Sequence, residues 1–146
     1  MKKLDFKIQT GSISDVQNLS LQIPEFETPY SDEKFKKRLL ENKSLILIAS
    51  YNGQQIGFKA GYKRDDYFYS WVGAVLPEYR KMGIAKKLAI YQEKWAKKEG
   101  FDQIVFKTRN RFKSMLLFGL TNGFDIIGFE AKDDISNFRI ILKKDI

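Results

Sequence analysis

The chain contains no cysteine and no histidine. No disulfide, no thiolate zinc site and no histidine metal site can be built from it, so no metal is expected. A cysteine nucleophile and a Ser-His-Asp triad are excluded as well. Acid–base chemistry is left to carboxylates, Tyr, Lys, a terminal amine or water. Proline is scarce, at three residues, and glycine numbers ten, which excludes a collagen-like or proline-rich chain. No apolar run reaches the roughly 18 residues of a membrane span. The start, Met1 to Asp5, lacks the apolar stretch of a signal peptide. The expectation is a cytoplasmic protein with no membrane partner.

What is present suffices for one core. The 146 residues are 43% hydrophobic and 14% aromatic, which predicts a single domain over 1–146. Lys and Arg number 26 against 18 Asp and Glu, a net charge of +8. Such a balance favours anionic partners: nucleic acid, headgroups or a phosphorylated small molecule. Charge alone does not separate these from a surface rich in solvated lysines.

Residues 4–9 alternate apolar and polar, as in a half-buried strand. Ser14 followed by Gln17 fits a capping box, and Val16, Leu19 and Ile23 recur at helical spacing, predicting a helix over about 14–22. Pro24 and Pro29 bracket a loop. Ser31, Asp32 and Glu33 open a second helix with Phe35 and Leu39 inward, ending near Asn42. The runs Leu45–Tyr51 and Gln55–Tyr62 flank Asn52-Gly53, the signature of a two-residue hairpin turn. After a polar turn at Lys63–Asp66, Tyr67–Leu76 is apolar on both faces, as in a central strand. Gly73 within it marks either a bulge or a close backbone approach to a ligand.

Pro77 stops that strand, and residues 84–99 read as a long amphipathic helix. Ile84, Leu88, Tyr91 and Trp95 line one face, lysines crowd the other, and Glu93 and Lys97 form an (i, i+4) pair. Gly100 is the expected C-cap. A strand over 103–108, a helix over about 111–121 and strands over 124–130 and 137–143 complete the chain. The Asn-Gly hairpin implies antiparallel pairing, and the helix at 84–99 implies a parallel crossover. The fold class is therefore α/β (α+β), with a mixed sheet flanked by helices.

The stretch Val75-Leu76-Pro77-Glu78-Tyr79-Arg80-Lys81-Met82-Gly83-Ile84-Ala85-Lys86-Lys87-Leu88 carries the chemistry. A buried strand ends, a short basic turn follows, and a helix begins at Ile84. Helix N-termini present unpaired N–H groups that bind phosphates. Gly83 and Ala85 let a ligand approach the backbone. The physical reading is a pyrophosphate cradle, and the alternative is an ordinary strand-to-helix turn.

Arg80-x-x-Gly83-x-Ala85 also resembles the Q/R-x-x-G-x-G/A signature of GCN5-related N-acetyltransferases (the GNAT family). Asn110 to Met115, then Asn122-Gly123-Phe124 with Gly128, resemble the family's second conserved block, and the element order is similar to the family fold over nearly the full length. The resemblance implies acetyl-CoA as cosubstrate, admitted where the fourth and fifth strands, 67–76 and 103–108, splay apart. It implies pantetheine pairing with the backbone around Ala74 and Val75. It implies pyrophosphate on the N–H groups of Arg80, Lys81, Met82, Gly83, Ile84 and Ala85, with Lys86 alongside. It nominates Asn110 and Ser114 as contacts from the later helix, with a helix cap as the alternative role for Asn110.

The match fails where many relatives carry a Tyr that protonates the departing thiolate. Counting back from Gly123-Phe124, that place is Gly119, beside Phe118. A thiol with a pKa of about 8.5 leaves tolerably without help, and water or Ser114 can assist. The place at which some relatives carry a Glu on the fourth strand is Tyr69, read either as a group orienting a water or substrate, or as cleft wall. Asp65, Asp66, Glu25 and Glu27 are alternative carboxylates, and Glu78 reads as a turn residue.

The expected reaction is direct attack of a deprotonated amine on the thioester, with a backbone N–H near Val75 polarising the carbonyl. The expected acceptor is a primary amine, as a small molecule, a lysine or a peptide N-terminus. The Pro24–Tyr30 loop would hold it through Phe26 and Tyr30 as walls and Glu25 as a charge, unless these simply pin the loop. A coenzyme A-binding regulator without turnover is a second reading, and a homodimer is allowed. A nucleic-acid module is a third, set aside because Arg111 and Lys113 extend no basic stripe from the lysine face of helix 84–99.

Overall fold

The structure, a computed structural model, describes residues 5–146. Leu4, at the start of the first expected strand, lies outside them. Strand β1 (Lys7–Thr10) pairs antiparallel with β2 (Ser44–Tyr51). Between them run helices α1 (Ile13–Ser20) and α2 (Asp32–Leu40). The cap of α1 is Ser12, not Ser14. The Ser12 hydroxyl accepts from the Asp15 N–H, and the Asp15 carboxylate accepts from the Ser12 N–H. Aspartate performs the reciprocal role that the glutamine-based template assigns to Gln17. Ser31 caps α2 as expected. That helix stops at Leu40 because Asn42 Nδ2 and Ser44 Oγ donate to the carbonyls of Arg38 and Leu39.

Asn52 and Gly53, at φ 49° and 77°, turn β2 into β3 (Gln54–Arg64) through the expected hairpin. Only Asp65-Asp66 then separate β3 from β4 (Tyr67–Val75), because β3 runs on through Lys63 and Arg64, two residues read as part of the turn. Gly61 pairs with Ser70 and Ala60 with Val72, so Trp71 is the extra residue of a bulge. Gly73 is not the bulge. It pairs with Lys59, and a Cβ there would stand 3.0 Å from the Phe58 carbonyl oxygen. The close approach is to a neighbouring strand.

Helix α3 (Ile84–Lys98) crosses over to β5 (Gln103–Arg109), parallel to β4. Its buried residues are Ile84, Leu88, Gln92 and Ala96, whereas Tyr91 is 44% exposed. A polar Gln therefore takes the inward place expected of Tyr91. Glu93 does not serve Lys97 either. Its carboxylate accepts from Lys144 Nζ at 3.0 Å. Gly100, at φ 90°, follows the last turn. Helix α4 (Lys113–Thr121), β6 (Asp125–Glu130) and β7 (Arg139–Asp145) finish the fold.

The sheet order is β1-β2-β3-β4-β5-β7-β6. β4 is the middle strand, as its two apolar faces predict, and β7 inserts between β5 and β6. On one face α1 and α2 cover Phe58, Ala60, Tyr62, Tyr69 and Trp71. On the other α3 covers Ile56, Phe68, Val75 and Ile104, and α4 covers Phe106 and Leu142. Burying each Phe, Ile, Leu or Val among these contributes about 1.5–3 kcal/mol.

Candidate active site

β4 and β5 pair through only two residue pairs, Phe68↔Ile104 and Tyr69↔Val105. Beyond Tyr69 the strands diverge, and six residues of β4, Ser70 to Val75, have no partner in β5. A parallel sheet opened in its middle exposes backbone N–H and C=O groups that seek an extended partner. Val75 turns its backbone to this wedge near its open end, whereas Ala74 turns its backbone to Phe58 of β3.

Past Val75 the chain turns through Pro77–Tyr79, where Glu78 is a turn residue as read from sequence. Lys81 and Gly83 both take positive φ, 63° and 84°. Gly83 is the N-cap of α3 and provides no side-chain cap, so the first N–H groups of α3 receive no side-chain acceptor. A Cβ on Gly83 would meet nothing within 4 Å. Its glycine is required by the backbone angle, and the space above it is open to a ligand. Lys81, Met82, Ala85 and Lys86 are exposed around this point, whereas the Ile84 side chain is buried, which leaves its N–H as the available group. An uncapped helix N-terminus ringed by lysines fits an anionic diphosphate.

The Arg80 side chain leaves this cradle. Its Nε donates to the Val75 carbonyl at 2.9 Å, and its two terminal nitrogens donate to Glu25 at 2.7 and 2.9 Å. Arg80 thus ties the end of β4 to the loop between α1 and α2. The guanidinium beside Glu25 holds that carboxyl below the usual glutamate range. Glu25 is therefore committed to a cation within the chain, and among the described residues Glu27 forms no ion pair.

Tyr69 and Phe26 lie on the α1–α2 face together, and Tyr30 joins them through its contacts with Phe35 and Trp71. Phe26 is packed against the core, whereas Tyr30 is 41% exposed and stacks 4.8 Å from Trp71. Burial, with Tyr30 and Tyr62 nearby, pushes the Tyr69 phenol up to about 12. Tyr69 is thus a neutral hydrogen-bond donor and poorly suited to act as a base. Three neighbours were missed in the sequence, Trp71, Arg38 and Arg64. The bulged Trp71 has a buried Nε1–H with no partner among the described residues. Arg38 and Arg64 lie over the Trp71 and Tyr69 rings at 4.9 and 5.5 Å. The signal was the aromatic run Tyr67–Trp71, whose bulge no spacing announces. Asp65 and Asp66, the alternative carboxylates, form the turn that enters β4, at the opposite end of that strand from the loop before α3.

Asn110 is not the cap of α4, which Phe112 begins. Its backbone N–H donates to Phe138 O, and its Nδ2 donates to Ile135 O at 2.9 Å, fastening β5 to the turn before β7. Ser114 is exposed in the first turn of α4. At Gly119 a Cβ would stand 2.7 Å from Phe106 Cζ. The ring from β5 fills the space that a side chain at 119 would need, so this position has no room for a proton donor.

A sequence profile described as the acetyltransferase (GNAT) family matches residues 13–123, and the chain belongs to that family of acyltransferases. No curated protein matches it in sequence. Among solved structures it is similar to the ribosomal-protein-S18-alanine N-acetyltransferase of Escherichia coli, with a TM-score of 0.84 at 17% identity over 97% of this chain and 94% of that one. It is similar to the PaiA N-acetyltransferase of Thermoplasma acidophilum in complex with coenzyme A, with a TM-score of 0.73 at 21% identity over 98% and 100% of the two chains. A GNAT acetyltransferase of Elizabethkingia anophelis with acetyl-CoA bound gives 0.74 at 18% identity over 97% and 98%. The mixed seven-stranded sheet is the fold these proteins share.

Proposed function

We propose that the protein transfers the acetyl group of acetyl-CoA to a primary amine by direct attack. The observation that carries this reading is the β4–β5 wedge leading to the uncapped N-terminus of α3 at Gly83. Two of the similar structures, in complex with coenzyme A and with acetyl-CoA, support the same donor.

In this reading the N–H groups from Lys81 to Lys86 hold the diphosphate, with Lys86 beside it. The free edge of β4 around Val75 pairs with the pantetheine arm, and the N–H there, left open because Arg80 takes only the Val75 carbonyl, polarises the thioester carbonyl. The amine enters from the α1–α2 face, against Tyr30 and Phe26. Tyr69, neutral, orients it or a water by donation. Phe106 leaves no side-chain acid at 119, so the thiolate departs on its own modest basicity, or with a proton from water or Ser114. Arg80 and Glu25 position the acceptor loop against the donor loop. Asn110 holds the end of β5 in place and leaves Ser114 as the α4 group nearer the donor.

The acceptor is a small amine, a lysine or a peptide N-terminus, and a cytoplasmic setting suits each. Exposed Ile126, Ile127 and Phe129 on the edge strand β6 support a second copy as partner. A screen of amine acceptors with thiol release as the readout tests the reading. Turnover on one class assigns the acceptor, whereas tight binding of acetyl-CoA with no turnover on any class favours the regulator.

A further inference from the structure

β3 places one cation in the interior. Lys59 faces α3, and its stem passes Gly73 of β4, where an added Cβ would stand 3.3 Å from Lys59 Cγ. With Ser70, Gln92 and Phe106 it lines a cavity of about 70 Å³ between α3 and α4, at the closed end of the β4–β5 wedge. Lys59 retains some accessible surface, yet burial is the one influence acting on its amine. Among the described residues the one carboxylate lining the cavity, Glu93 of α3, is taken by Lys144 of β7 at 3.0 Å. Lys86 at the mouth is a further cation, and α4 presents no charged group to the cavity. Gln92, 2% exposed, has an Nε2–H with no acceptor among the described residues. The cavity therefore holds a lysine amine beside an amide donor that lacks an acceptor oxygen.

We propose that Lys59 is a self-acetylation site, its amine taking the acetyl group from acetyl-CoA bound in the chain's own wedge. This rests on the acetyl-CoA reading above. The neutral Nζ attacks the thioester carbonyl carbon. The C–N bond forms, the C–S bond breaks, and the proton shed by nitrogen goes to the departing sulfur. The products are Nζ-acetyl-lysine and coenzyme A thiol. Acetylation removes a buried charge, and the new carbonyl is an acceptor for Gln92 Nε2–H. The cavity is large enough for a two-carbon acyl group.

The nucleophile is prepared by its surroundings. Desolvation lowers the Lys59 amine from 10.5 to about 8. Near neutral pH, its neutral fraction is roughly 300-fold that of an ordinary lysine. Glu93, neutralised by Lys144, does not hold it protonated.

The test is incubation of the whole protein with acetyl-CoA, native and in urea, followed by intact mass and peptide mapping. The expected result is one acetyl group per chain at Lys59. It forms at least roughly tenfold faster than at any other lysine in the native protein, and the advantage vanishes in urea. The rate rises with pH and levels off above about 8, and Lys59→Arg abolishes the fast phase. Calorimetry with acetyl-CoA separates the two readings. Binding with Lys59 unmodified, or modified no faster than surface lysines, overturns self-acetylation alone. Absence of binding by folded protein removes the donor reading and this proposal together.

Discussion

Arg80 grips Glu25 with both terminal guanidinium nitrogens, at 2.7 and 2.9 Å, while its Nε holds the carbonyl of Val75. The residue that opens the family signature thus joins the turn before α3 to the loop between α1 and α2. Both side chains are more than a third exposed, so the pair contributes at most about 1 kcal/mol to stability. Its larger effect is positional.

Arg80→Ala is therefore expected to shift the melting temperature little and to raise the KM of the acceptor amine several-fold. Differential scanning calorimetry beside steady-state kinetics checks the split. A large loss of stability with unchanged KM would show the pair to be structural only.

The same pair sets an acid dependence. Glu25 titrates lower in the folded chain than when unfolded. Its stabilisation is present above the ordinary glutamate pKa of 4.5 and is lost as pH falls through the lowered folded value. Glu25→Gln should flatten this part of the acid limb in urea titrations. An unchanged acid limb would mean that the pair does not persist in solution.

Lys59 produces the opposite kind of slope. Its folded pKa of about 8 lies below the ordinary 10.5, so the unfolded chain binds more protons between these values. Stability rises with pH across that window. Lys59→Met removes the slope and should stabilise the protein at neutral pH, by on the order of 1–3 kcal/mol. Urea midpoints measured at neutral and alkaline pH are the readout, and a variant no more stable than wild type contradicts a buried cation.

Tyr69→Phe should leave the pH profile of kcat in place and raise KM by roughly three- to tenfold, the loss of one neutral hydrogen bond. A phenol pushed up to about 12 is protonated throughout the working range. Disappearance of a basic limb in the variant would instead make Tyr69 the base.

Gly119→Ala forces a Cβ against Phe106 and should cost about 1–3 kcal/mol. Gly119→Tyr is expected to unfold the α4 region and not to restore a proton donor. Improved turnover in a folded Gly119→Tyr protein would refute the packing argument.

Much of this architecture was legible in the sequence. Asn52-Gly53, the two-faced apolar strand at β4 and the run from Pro77 to Leu88 each state a local rule, and each is obeyed. What was hidden depends on partners distant in the chain. Trp71 becomes the bulge through pairing with β3. Gln92 replaces Tyr91 on the buried face because α3 lies over Lys59 and Ser70. Arg80 leaves the cradle because Glu25, 55 residues away, reaches it. The shift of the first cap from Ser14 to Ser12 is a smaller lesson, that Asp15 closes a capping box as well as glutamine does. Lys59 carries a signal of its own, as a lone cation in the apolar run Ile56–Tyr62.

The central claim is that the N-terminus of α3 binds the diphosphate of acetyl-CoA, and Gly83 tests it most directly. A side chain there meets nothing in the protein, so only the backbone angle penalises it, by about 1 kcal/mol. Calorimetric titration of acetyl-CoA into wild type and Gly83→Glu, both shown to be folded, is the measurement. The account predicts binding by wild type and a loss of at least roughly a hundredfold in the variant, from a carboxylate placed where the phosphates belong. Equal affinity in the two proteins, or no binding by the wild type, would contradict it.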